Sequence, residues 1–269
     1  MRPNIVPIWL SSVISFGVPA IIILLCQIRV RSFWDVNNAI FGVTYSLINA
    51  AAFQVFIKWL IGGLRPHFLD VCKPDMTKIN SINGVGVGFQ NLFFTKSICT
   101  GDESEINDSL ESMPSGHSTA AFAGFVFLFL YLNAKLKLWS NYHPAYWKMI
   151  VVYAPLLVAC LIAGSLTIDA FHHWYDCVAG AVIGTFNAVG AYRMTYASIW
   201  DWRYNHIPLP RDSDQEHEIP GYGNFGGFEQ AVVTRKAGWG SEKGYGSLEQ
   251  RHTTSTHITV PRRTAEQSV

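Results

Sequence analysis

Charge is scarce in this chain. Only 14% of its 269 residues are charged, against about 25% in soluble domains. The net charge of +1 argues against bulk attraction to nucleic acid. Cysteine is also sparse: five residues, with no CxxC pair and no Cys/His spacing of the metal-binding kind. Cys26, Cys160 and Cys177 lie in or beside apolar runs and read as buried thiols, whereas Cys72 and Cys99 share one long polar loop. No carboxylate cluster offers a divalent-metal site, so neither metal nor cofactor is expected. No Lys or Arg occurs between Lys148 and Arg193.

What is present is apolar length. No charge separates Arg2 from Arg29, and the run Ile5–Ile28 exceeds the about 20 residues needed to cross hydrocarbon. It is longer than a signal-peptide core and no small-residue cleavage site follows, so it reads as a retained helix. Further runs cover Val36–Ile57, Ala120–Ala134, Met149–Ile168 and Cys177–Tyr192. The last is short and rich in Gly and Ala, which suits close helix packing. The expectation is an all-α polytopic membrane bundle of five transmembrane helices over 1–200, with a disordered tail over 205–269 that is polar, Gly-rich and without periodicity.

Five spans put the termini on opposite sides. Loops 29–35 and 135–148 and the C-terminal flank carry Lys or Arg, and turn 166–175 carries none. The positive-inside rule then places the tail in the cytosol, and loop 67–116 outside or in a lumen. Asn107-Asp108-Ser109 is a glycosylation acceptor pattern in that loop, and a Cys72–Cys99 disulfide would suit an oxidising compartment.

This topology gathers Lys58, Arg65, His117 and the pair His172/Asp176 on one membrane face. Ionisable groups there are costly and are functional candidates. Lys58 and Arg65 are two helical turns apart, so their charges can point the same way. Ser115-Gly116, ahead of an incoming helix, offers a hydroxyl and free N–H groups to an anion. With a helix starting near it, His172 would stand one turn from Asp176, whose carboxylate would orient the imidazole. Two cations, an N–H cradle and two histidines describe a phosphate site: one histidine attacks phosphorus and the other protonates the leaving oxygen. Each residue alone has an ordinary reading, such as a snorkelling Lys58 or an interface His117. Their coincidence in order and on one face is what carries the argument. His173 and Trp174 read as structural.

These residues resemble the motifs of the integral-membrane type 2 phosphatidic acid phosphatase (lipid phosphate phosphatase) superfamily. That family shows K-x6-R-P, P-S-G-H and S-R-x5-H-x3-D. The chain reads Lys58-x6-Arg65-Pro66, Pro114-Ser115-Gly116-His117 and Ser165-Leu166-x5-His172-x3-Asp176, within a likeness over roughly 5–195. The resemblance implies His172 as nucleophile of a phospho-histidine intermediate, Asp176 as its orienting partner, and His117 as general acid. Lys58, Arg65, Ser115 and Gly116 would bind phosphate, without a metal. The implied substrates are phosphatidate, lysophosphatidate, diacylglycerol pyrophosphate and sphingoid-base phosphates.

Two departures stand out. Leu166 occupies the position of the family arginine; loss of one such contact costs about 2.7–4 kcal/mol of transition-state stabilisation, unless Lys73, Lys78 or Lys96 of the outer loop substitutes. The family usually has six spans, and the first is missing here, so either the chain begins inside a longer protein or its N-terminus lies outside. The leading expectation is a lipid phosphate phosphatase acting at the non-cytosolic face. Its rivals are a weakened or inactive relative that binds lipid phosphates and a phosphotransferase of the same fold. Expected partners are the lipid substrate and the bilayer.

Overall fold

A computed structural model describes residues 6–79, 86–87 and 93–209. The expected tail from 210 onward lies outside the described residues. Among those described, the chain forms eight α-helices: α1 (Ile8–Val30), α2 (Phe33–Ile61), α3 (Phe68–Cys72), α4 (Met76–Ile79), α5 (Glu103–Ser109), α6 (Gly116–Leu136), α7 (Tyr146–Ile168) and α8 (Trp174–Thr195). No strand occurs among the described residues. Ser32 caps the 29-residue α2 by accepting from the Asp35 N–H, and Ser115 caps α6 by accepting from the Ser118 N–H.

The bundle is built around α6, which α1, α2, α7 and α8 all contact. Nearly every α6 residue from Ala121 to Leu136 is buried, including Phe125, Phe127, Leu128 and Tyr131. The outer helices instead expose large apolar side chains: Leu24, Leu25 and Ile28 on α1, Phe53 and Phe56 on α2, Leu157 and Leu161 on α7. A bundle with apolar side chains both inside and outside is stable in lipid. The protein is a multi-pass helical membrane protein.

Five spans were expected, but four helices are both long and apolar enough to cross a bilayer: Trp9–Val30, Phe33–Ile61, Gly116–Leu136 and Tyr146–Ile168. The fifth expected run lies in α8, which has 22 residues but dilutes its apolar content with Asp176, Thr185, Asn187 and three glycines. Two of those glycines, Gly180 and Gly184, face α6. A Cβ on Gly180 would stand 2.6 Å from the Ser115 carbonyl oxygen, and one on Gly184 2.5 Å from that of Thr119. This spacing of four lets the two backbones touch along a small-residue seam.

The far end of the bundle also departs from expectation. Lys135 and Lys137 read as loop residues, yet Lys135 lies inside α6 and both are buried. Lys135 pairs with Asp35, both side chains being fully buried. Tyr131 donates to Asp35 at 2.9 Å, Tyr196 at 3.1 Å and Gln27 at 2.9 Å. Lys137 donates to Asn205 Oδ1 at 2.7 Å and to the Trp202 carbonyl. Residues 205–209, placed in the tail by composition, are therefore part of the packed bundle, with Ile207 and Tyr204 buried beside Ala197.

Candidate active site

At the opposite end, the loops after α2, before α6 and between α7 and α8 are laced together. Gly62 and Gly63 turn the chain out of α2 with φ of 61° and 105°, values that glycine adopts without strain. Their carbonyls accept from the Met113 and Ser112 N–H groups at 3.0 and 3.1 Å, and the Arg65 N–H donates to Ser109 at 2.9 Å. His67 Nδ1 meets the Ala170 carbonyl at 2.9 Å, and His173 Nε2 meets that of Leu64 at 3.2 Å. The Ser115 N–H donates to the Asp176 carbonyl at 3.1 Å. The three motifs thus hold one another in place through backbone contacts. Beyond them, Cys72 and Cys99 are joined in a disulfide.

This lacing brings Lys58, Arg65, His117, His172 and Asp176 to one end of the bundle. Arg65, His117 and Lys58 all act electrostatically on His172. One local expectation changes. The helix begins at Trp174, after His172, and His173 is its N-cap. Asp176 closes a capping box, accepting the His173 N–H at 3.0 Å and the Ser112 hydroxyl at 2.5 Å through Oδ2. His172 Nδ1 stands 3.7 Å from that oxygen, an ion-pair distance beyond a hydrogen bond. The Ser115 hydroxyl caps α6 and its N–H is committed to Asp176. The Gly116 and His117 N–H groups remain in the first helical turn, where no preceding helical carbonyl reaches them.

Among the described residues, three buried polar atoms at this end have no hydrogen-bond partner: Arg65 Nε, His172 Nδ1 and Asp176 Oδ1. Such atoms cost free energy unless a ligand or water completes them. Sequence reasoning missed the two carboxylates that hold the cations. Asp108 takes both terminal nitrogens of Arg65, at 2.8 and 2.9 Å, and Glu111 lies 3.3 Å from Lys58 Nζ. Both lie in the long polar loop, but nothing in their spacing announces the pairing. Ser112 carried no signal either.

Leu166 is buried in an apolar cluster with Ala163, Cys177 and Phe122. Its carbonyl accepts the Phe171 and His172 N–H groups at 3.1 and 3.3 Å. Of the outer-loop lysines suggested as substitutes for the missing arginine, Lys78 pairs with Asp75 and Lys96 with Glu103. Among the described residues no group of three His, Cys, Asp or Glu could hold a metal.

Burial pushes the His172 imidazole down to about 3, assisted by the fields of Arg65, His117 and Lys58 and opposed by the Ser112 backbone. Its lone pair is therefore available across the whole neutral range. The unfolded imidazole titrates near 6.5, so between that pH and about 3 the unfolded chain binds a proton that the folded one refuses. Folded stability falls as pH drops through this window. Heat stability in detergent is expected to decline from pH 6.5 to 4, and His172→Gln to flatten the decline. A variant as acid-sensitive as the parent would refute that assignment.

The profile of the PAP2 superfamily matches residues 39–200. A PA-phosphatase related-family protein of Dictyostelium discoideum is 37% identical over 190 residues, 71% of this chain and 56% of the relative. Lipid phosphate phosphatase 1 of Arabidopsis thaliana is 34% identical over 197 residues, 72% and 56% of the two chains. Diacylglycerol pyrophosphate phosphatase 1 of Saccharomyces cerevisiae is 34% identical over 207 residues, 75% and 68%. The chain thus spans just over half the length of the first two. No solved structure matches it. The matched segment runs from within α2 to just past α8 and carries every motif residue of the laced end, and on that ground the chain belongs to the PAP2 superfamily.

Proposed function

We propose that this protein is a metal-independent lipid phosphate phosphatase that hydrolyses the phosphomonoester of phosphatidate-like lipids. The observation that carries this reading is the set of unpaired buried atoms, Arg65 Nε, His172 Nδ1 and Asp176 Oδ1, at the end of the bundle that also holds Lys58 and the N-terminus of α6. Substrate oxygens would lie on Arg65, Lys58 and the Gly116 N–H, with the Ser115 hydroxyl beside them. His172 attacks phosphorus through Nε2, the nitrogen turned away from Asp176, and Asp176 stabilises the charged ring. The phosphorus–oxygen ester bond breaks and the departing lipid alkoxide takes a proton from His117. Water then attacks the phospho-histidine, gives its proton back to His117, and inorganic phosphate leaves. Relatives named as lipid phosphate and diacylglycerol pyrophosphate phosphatases support the substrate class.

A non-cytosolic site is supported by the disulfide at this end of the bundle, since such bonds persist in oxidising compartments. The exposed Asn107 of the acceptor pattern lies in the same loop.

Leu166 favours a second reading, a relative that holds lipid phosphates without turning them over. One assay separates the two. Membranes containing the protein are expected to release phosphate from phosphatidate in EDTA and, when quenched early, to carry an acid-labile, base-stable phosphoryl label. No release and no label above protein-free membranes would overturn the phosphatase reading and leave the binding one.

A further inference from the structure

A cavity of about 160 Å³ opens beside His117, between α1, α2 and α6. Ser11, Gln54, Gly116 and His117 line it, with Leu47 and Ala51 as an apolar wall. Its volume is well above the roughly 10–15 Å³ that one ordered water needs, so a glycerol-sized group has room. Ser11 is 1% exposed and, among the described residues, its hydroxyl has no hydrogen-bond partner. A helical serine can bond a carbonyl one turn back; this buried one leaves its hydroxyl uncommitted beside the notch. Gln54 is fixed, its amide donating to the Pro114 carbonyl at 3.2 Å, so that wall is rigid.

We propose that this notch is the subsite for the leaving alcohol, and that Ser11 selects lipids carrying a hydrogen-bonding oxygen or nitrogen on the carbon next to the phosphoester carbon. The inference rests on the phosphatase reading for its location, since the proposed proton donor His117 lines the same cavity. A glycerolipid or sphingoid backbone places such an atom within reach of the notch when its phosphate is on Arg65. A polyprenyl chain offers only carbon there and leaves the Ser11 hydroxyl unpaired.

The test compares lysophosphatidate with farnesyl phosphate on the purified full chain. Ser11→Ala is expected to lower the ratio of the two kcat/KM values about tenfold, and Ser11→Thr, which keeps a hydroxyl, to restore at least half of that preference. A ratio unmoved by Ser11→Ala overturns the subsite. Affinities of an acylglycerol phosphonate and an alkyl phosphonate of equal chain length, measured in the His172→Ala background, read the notch without turnover. Tighter binding of the glycerol compound, lost with Ser11→Ala, supports the proposal, and equal affinities overturn it. If lysophosphatidate is not hydrolysed while that preference holds, the phosphatase reading fails and the subsite stands.

Discussion

His172→Ala is expected to remove phosphate release altogether within assay range, a loss of at least about 10³-fold. The reason is that the imidazole is proposed as nucleophile rather than as a contact: its loss removes the covalent route, not one interaction along it. The fold should tolerate the change, because the ring packs at the end of the bundle and its Nδ1 has no hydrogen bond to lose. Size-exclusion behaviour in detergent should match the parent, and the phosphoryl label should vanish. His117→Ala gives the informative contrast. With a substrate whose leaving group needs no proton, such as p-nitrophenyl phosphate, that variant should still form the labelled intermediate but hydrolyse it slowly, so label accumulates. A labelled His172→Ala protein, or retained phosphate release, would assign the nucleophile elsewhere.

The second large effect lies at the other end. Lys135→Met should destabilise the protein by about 3–5 kcal/mol, the usual cost of leaving one buried charge without its partner. Asp35 would then hold a full charge among Tyr131, Tyr196 and Gln27, whose donors stabilise a carboxylate but do not neutralise it. For a bundle of this size the midpoint of heat inactivation should fall by about 6–20 °C. Asp35→Asn combined with Lys135→Met should recover more than half of that loss, because the charge disappears along with its partner. A double variant no more stable than the worse single would show that the pair acts through packing alone.

Four membrane helices could be read directly from the sequence, because an uncharged run of twenty or more residues has few other uses. α8 was less legible: its role is to let α6 approach, so it trades apolar bulk for Gly180 and Gly184. The motif residues announced themselves by spacing, since Lys58/Arg65 and His172/Asp176 each sit on a short stretch of chain. Asp108, Glu111 and Ser112 did not, because they reach the site through a loop whose path is set by the Cys72–Cys99 bond and by backbone bonds to Gly62 and Gly63. Ser11 was hidden for a different reason: in an apolar run a serine looks like padding until a cavity is found beside it. Lys135 and Lys137 read as exposed because they are charged, and only partners as remote as Asp35 for the one and Asn205 for the other reveal their burial.

The length of α2 bears on where the chemistry can happen. Its 29 residues extend about 43 Å, and even at an ordinary tilt of about 20° they overshoot a hydrocarbon layer of about 30 Å. Were that excess at its C-terminal end, Lys58, three residues from it, would stand among the head groups rather than in the oil. Lifting a sixteen-carbon chain into water would cost on the order of 12 kcal/mol, at about 0.8 kcal/mol per methylene. On the proposed phosphatase reading, a cation at that depth would make such extraction unnecessary: a lipid substrate would present its phosphate from within its own leaflet, and diffusion in the plane would replace capture from solution.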